Sequence, residues 1–304
     1  MADPDHRADP AATPTTAVGP EPVATFEHGR LAFGSRVLWE DLNLRISRGE
    51  FIAVLGPNGS GKTSFLRCLL GQYPLDAGRL EVTDAIGYIP QQHADDADPM
   101  AMRGRDLVGF GVDGGRWGIG LRGRSRRKRL VDAALAEVGA TAYADAPMGL
   151  LSGGEQQRLR VAQSLTGDPT LLLCDEPLSS LDPTNQQLVV ELIDERRRKA
   201  DTAVVFVTHE LNPILPYVDR VLYLVGGHFR IGTPDEVMTT ETLSNLYGSD
   251  VEVLRVNGRL LVIGGEDAHH CEHRPEPTTS ATAPSATAPS ATQPGDDGGR
   301  SGLT

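Results

Sequence analysis

One eight-residue run restricts this chain more than any other feature: Gly56-Pro57-Asn58-Gly59-Ser60-Gly61-Lys62-Thr63, set between the apolar stretch FIAVL at 51–55 and the helical pattern KTSFLRCLLG at 62–71. Glycines at its first, fourth and sixth places let successive backbone amides turn inward around one concavity. A helix starting there points the positive end of its dipole at the same space. Lys62 adds a point charge, and the Thr63 hydroxyl is a ligand for Mg²⁺. The spacing GxxxxGK[ST], after a strand and before a helix, predicts a cradle for the β- and γ-phosphates of a nucleotide.

The rest of the chain is organised to suit such a cradle. TLLLC (170–174) and AVVFV (203–207) have the length and flanking turns of buried parallel strands, and GEQQRLRVAQSLTG (154–167) and NQQLVVELIDERRRKA (185–200) are helical patterns between them. The alternation predicts an α/β P-loop NTPase with a mainly parallel sheet. ATFEHGRLAFGSRVLWEDLNLRI (24–46) instead alternates apolar and polar residues, which predicts an antiparallel β-layer ahead of the sheet. VEVLRVNGRLLVI (251–263) sets Asn257-Gly258 between two β-rich runs, the signal of a tight hairpin. Residues 1–22 and 266–304 are poor in large apolar side chains, and the near-repeat SATAPSATAPSATQP cannot offset its ordering entropy, so both ends are expected to be disordered around a folded domain at 23–265.

Composition narrows the class further. No run approaches the roughly 18 apolar residues of a spanning helix, and the start MADPDHRADPAATPTT lacks a signal-peptide pattern, so the cytoplasm is the expected compartment. The three cysteines, Cys68, Cys174 and Cys271, lie far apart without CxxC spacing, which fits a reducing compartment. A formal net charge of −12 disfavours nucleic acid as a partner.

A second chemical element is LLLCDEP, an apolar strand that ends in Asp175 and Glu176 before Pro177. Ligands bind at the carboxyl ends of strands in open α/β sheets. Asp175 is placed to hold Mg²⁺ and Glu176 to polarise an attacking water. Cys174 beside them reads as a small buried apolar residue.

Between these elements stands Leu151-Ser152-Gly153-Gly154-Glu155-Gln156-Gln157-Arg158, which resembles the signature of ABC ATPases. A hydroxyl and two glycine amides at a helix start form a second anion site. Further motifs follow the family order: Gln91 in GYIPQQ resembles the Q-loop glutamine, Ser180-Leu181-Asp182 the D-loop, and His209 the switch histidine that contacts the γ-phosphate. Phe33 resembles the aromatic on which adenine stacks.

The resemblance covers roughly residues 23–263. It implies ATP and Mg²⁺ as cofactors, with Gln91 joining Thr63 and Asp175 around the metal. It also implies a helical signature subdomain at about 92–165 and head-to-tail pairing, as a homodimer or with a related ABC subunit. An integral membrane permease is the implied direct partner, an extracytoplasmic substrate-binding protein an indirect one, and the cytoplasmic face of the membrane the implied location. Arg122, Arg124, Arg126, Arg127, Lys128 and Arg129 lie in that subdomain as a solvated basic face or a contact for anionic headgroups or an acidic permease loop. THELNPILPYVDRVLYLVGG and TTETLSNLYGSDVEVLRVNGR look most like cassettes of zinc and manganese importers, with siderophore or other small-solute importers as the alternative. Soluble ABC ATPases of translation or repair carry a second cassette or a long coiled coil, and neither is seen here. His269, His270, Cys271 and His273 are possible zinc ligands without a fixed scaffold.

Overall fold

The structure is a computed structural model that describes residues 21–91, 101–113 and 124–264. The tails expected to be disordered lie outside these residues, apart from Glu21 and Pro22, and so do Arg122, His269, His270, Cys271 and His273.

The centre of the main sheet is built from runs whose every residue is apolar or nearly so. Strands β3 (Phe51–Leu55), β6 (Leu171–Asp175) and β7 (Ala203–Val207) are buried along their whole length. Together with β5 (Ile86–Ile89), β8 (Arg220–Val225) and β9 (His228–Gly232) they form a six-stranded sheet in the order β5-β6-β7-β3-β8-β9. Neighbours from β5 to β8 pair in parallel, and β9 closes one edge antiparallel to β8.

Continuous burial means that both faces of the sheet are covered, and the two-residue repeat of a strand divides each run between two cores. Phe51, Ala53 and Leu55 of β3 point into one core with Leu172, Cys174, Val204 and Phe206. Ile52 and Val54 point into the other with Leu171, Leu173, Val205 and Val207. The rings of Phe51 and Phe206 stack at 5.7 Å in the first core. Each such side chain removed from water contributes about 1.5–3 kcal/mol.

The second core is roofed by the expected antiparallel layer. β1 (Pro22–Phe33) pairs with β2 (Arg36–Ser47) on one side and with β4 (Ala77–Val82) on the other. Helix α1 (Lys62–Leu69) lies in this core through Phe65, Leu66 and Leu69, and Phe26 stacks on Phe65 at 5.1 Å.

The first core is covered by α2 (Gly104–Asp113), α3 (Arg124–Glu137), α4 (Gly153–Leu165) and α5 (Pro183–Ala200), which contribute Val108, Leu135, Leu159, Val161 and Val189. Two short helices, α6 (Pro234–Val237) and α7 (Thr240–Tyr247), lead to the hairpin β10 (Val251–Val256) and β11 (Arg259–Gly264). Asn257 and Gly258 have φ of 51° and 77°, the paired positive values that the dipeptide was expected to supply.

Candidate functional site

Three buried strands, β3, β6 and β7, end side by side, and their carboxyl ends deliver the P-loop, the Asp175-Glu176 pair and His209 to one place. The P-loop conformation demands glycine at its start. Gly56 has φ of 139°, and a Cβ there would lie 2.0 Å from the Leu224 carbonyl oxygen. Gly59 and Gly61 have φ of 76° and 102°. Lys62 begins α1, and its Nζ turns back to donate to the carbonyls of Gly56 at 2.8 Å and Pro57 at 3.0 Å. The side chain is buried, and burial lowers its pKa against the opposing pull of Glu176 and Asp175.

The residues present fit a bound phosphate chain. Ser60 Oγ is buried without a hydrogen-bond partner, a state that costs about 1–3 kcal/mol until a ligand satisfies it. Among the described residues, the buried cation Lys62 donates only to backbone carbonyls. Thr63 Oγ1 approaches Asp175 Oδ1 at 3.4 Å, so a hydroxyl and a carboxylate present oxygens together, the donor type that Mg²⁺ takes. Burial raises the pKa of Asp175, while the Thr63 hydrogen bond and Lys62 work the other way. Among the described residues no group of three or more His, Cys, Asp or Glu side chains could form a metal centre, so a metal here would complete its shell elsewhere, as Mg²⁺ does with phosphate oxygens.

Glu176 follows at φ of 47°, an uncommon backbone state for a residue with a Cβ and of the kind found at functional sites. Its Oε2 accepts from Gln91 Nε2 at 3.1 Å and lies 3.6 Å from His209 Nδ1. The first contact is a hydrogen bond; the second is too long to be one. Gln91, Glu176 and His209 therefore meet, although 85 residues separate the first two. Cys174, next to this cluster, is fully buried, and burial drives its thiol pKa upward, as expected of an inert packing residue.

The signature residues stand apart from this cluster. Ser152 is the N-cap of α4: its backbone N–H and hydroxyl both donate to Glu155 Oε2 at 2.8 Å. A Cβ on Gly154 would lie 2.0 Å from Asn185 Oδ1, so the start of α4 is seated on the start of α5. There Asp182 caps α5, accepting from the backbone amides of Thr184 and Asn185 at 3.0 and 3.1 Å. Among the described residues, Ser152, Gly153 and Gly154 make no hydrogen bond to the P-loop, Asp175, Glu176 or His209.

Phe33 ends β1 half-exposed, edge-on to Tyr73 at 5.5 Å. Its cross-strand partner Arg36 donates to the Gly59 carbonyl at 2.7 Å, which ties that hairpin end to the P-loop. Arg36 was not foreseen from sequence, nor were Asn185 and Tyr88. Tyr88 has its pKa pushed up to about 12, chiefly by burial and next by the charge of Asp175. Each acts through a partner distant in the chain, so no local pattern marks it.

Comparison with known proteins agrees with this geometry. A family profile described as ABC transporter matches residues 39–179. The zinc import ATP-binding protein ZnuC of Photorhabdus laumondii is 32% identical over 229 residues, which span 74% of this chain and 84% of that protein. The aliphatic sulfonates import ATP-binding protein SsuB 1 of Pseudomonas fluorescens is 38% identical over 195 residues, 64% of this chain and 70% of that protein. A solved structure of an inward-facing candidate metal-chelate type ABC transporter superposes with a TM-score of 0.69 at 26% identity, covering 80% of this chain and 96% of the other. On the coverage of these relatives and the ordered set of motifs, the chain belongs to the ATP-binding subunits of ABC transporters.

Proposed function

We propose that this ATPase powers import of a divalent transition metal, zinc or manganese, through a separate membrane permease. The observation that carries the ATPase part is the meeting of Lys62, Asp175, Glu176, Gln91 and His209 at the ends of the four adjacent strands β5, β6, β7 and β3. In this reading the P-loop amides, Ser60 and Lys62 hold the β- and γ-phosphates, and adenine stacks on Phe33. Thr63, Asp175 and Gln91 would hold Mg²⁺, which when bound draws charge from the phosphate oxygens. Glu176 orients the attacking water and takes its proton, the role for which a half-buried carboxylate beside the γ-phosphate is suited. Gln91 restrains that carboxylate through its 3.1 Å hydrogen bond, and His209 reaches the γ-phosphate. Ser152, Gly153, Gly154 and Asp182 serve the site of a second cassette; among the described residues none of them hydrogen-bonds the P-loop, Asp175, Glu176 or His209 of its own chain.

No helix among the described residues is long and apolar enough to cross a membrane. In this reading the chain sits peripherally on the cytoplasmic face, held by the permease, which supplies the pore. Support for a metal cargo comes from the zinc-import relative and the metal-chelate type neighbour. The sulfonate-import relative, at 38% identity, favours another small solute as the second reading.

Deleting the gene in a strain without a redundant importer separates the two. Under chelation the deletion should grow poorly and hold less zinc or manganese, with recovery on adding the metal. Normal growth and metal content, with a defect on sulfonates or another solute instead, would overturn the metal assignment and leave the ATPase reading standing.

A further inference from the structure

The loop after β7 carries His209, and three residues later Asn212 pairs with the edge of β11. Asn212 Nδ2 donates to the Leu260 carbonyl at 2.9 Å, and its Oδ1 accepts from the Leu260 N–H at 2.8 Å. One side-chain amide thus supplies Leu260 with both the donor and the acceptor of a neighbouring strand.

The hairpin it grips is itself fixed. Ser244 Oγ donates to the Val251 carbonyl and accepts from the Val251 N–H, both at 3.0 Å. Val253 N–H donates to Thr240 Oγ1 at 2.9 Å, and Arg255 donates to Asp235 at 2.6 Å. Tyr247 on α7 shares a hydrogen bond with Tyr223 on β8, the strand beside β3. Leu260 and Val251 are buried in the same core as Leu211 and Ile214, which flank Asn212.

On the other side of Asn212 the loop is short. Thr208 Oγ1 donates to the Glu210 carbonyl and accepts from the Glu210 N–H, both at 3.1 Å, so a closed turn presents His209. The His209 side chain itself is 64% exposed and lies 3.6 Å from Glu176. An exposed side chain on a loop gains precision only from what holds its backbone, and a misplacement of about 1 Å at a reacting centre can cost ~10²-fold in rate.

We infer that Asn212 is a positioning residue for His209, and that the C-terminal hairpin, through Leu260, sets where the histidine stands relative to Glu176. This rests on the reading of His209 given above. The hairpin is then part of the hydrolytic apparatus rather than an appendage to the fold.

Steady-state ATPase assays on the full chain test it, with wild type, His209→Ala, Asn212→Ala and the double variant. Asn212→Ala should lower kcat by roughly tenfold while KM for Mg-ATP stays within about twofold. In the His209→Ala background the same change should cost nothing further, because its effect passes through the histidine. Asn212→Asp preserves shape and the acceptor but removes the donor. It should move kcat in the same direction, and it serves as the readout if Asn212→Ala fails to fold. Wild-type kcat in the Asn212 variants beside a slow His209→Ala would overturn the inference alone, as would full multiplicativity of the two defects. Unchanged kcat in His209→Ala would sink the reading of the histidine and the inference with it.

Discussion

Lys62 and Asp175 are both buried ionisable groups that burial pushes toward neutrality, and their site makes sense only with a charged ligand between them. In the nucleotide-free protein that arrangement is a standing cost. The pKa of Asp175 is raised in the folded state, so its contribution to stability is full below the ordinary carboxylate pKa and is lost as pH rises through the folded value. Asp175→Asn removes that loss. The nucleotide-free variant should therefore melt a few degrees above wild type at neutral pH, with the gap closing as pH falls below about 4. Melting curves across pH read this directly. A variant that melts lower than wild type at neutral pH would show that the Thr63 and Lys62 contacts outweigh burial. Mg-ATP should stabilise wild type far more than the variant.

At the scale of elements, the signature serine has a duty that needs no nucleotide. Ser152 and Glu155 form a reciprocal capping box at the start of α4, and Asp182 does comparable work for α5 under the same Gly154. Ser152→Ala should destabilise the protein by about 1 kcal/mol, the usual loss for a cap. The affinity of the isolated monomer for ATP should not change, since among the described residues Ser152 makes no hydrogen bond to its own P-loop. Denaturant titration gives the first quantity and equilibrium nucleotide binding the second. A weakened monomer affinity would place Ser152 in the site of its own chain.

At the scale of the whole molecule, the proposed reading has the signature of one cassette complete the P-loop site of another, since among the described residues no hydrogen bond joins the two within one chain. Glu176→Gln keeps the shape of the glutamate but cannot take a proton. With Mg-ATP it should bind nucleotide, lose nearly all turnover, and accumulate as a dimer in size-exclusion chromatography, while wild type runs mostly as a monomer. Replacing Ser152 in addition with a bulky residue should abolish the dimer. A monomeric Glu176→Gln at saturating Mg-ATP, or one with near-normal turnover, would refute the shared site and the role given to Glu176.

What could be read from sequence alone was what residues near one another in the chain decide. The P-loop glycines, the fully apolar strands and the Asn257-Gly258 turn each carry their own steric or hydrogen-bonding requirement, and the structure meets it in place. β4 was missed because AGRLEV is mostly exposed and shows no clean alternation; it is a strand only because β1 offers it an edge. Gln91 and Glu176 were each picked out, yet nothing local said that one holds the other. Arg36 on Gly59 and Asn212 on Leu260 left no trace at all. Such pairs are made by strand order and by the seating of the hairpin on the core. Their partners become neighbours only after the apolar runs have been buried, so their energies depend on the assembled fold and not on any stretch of chain.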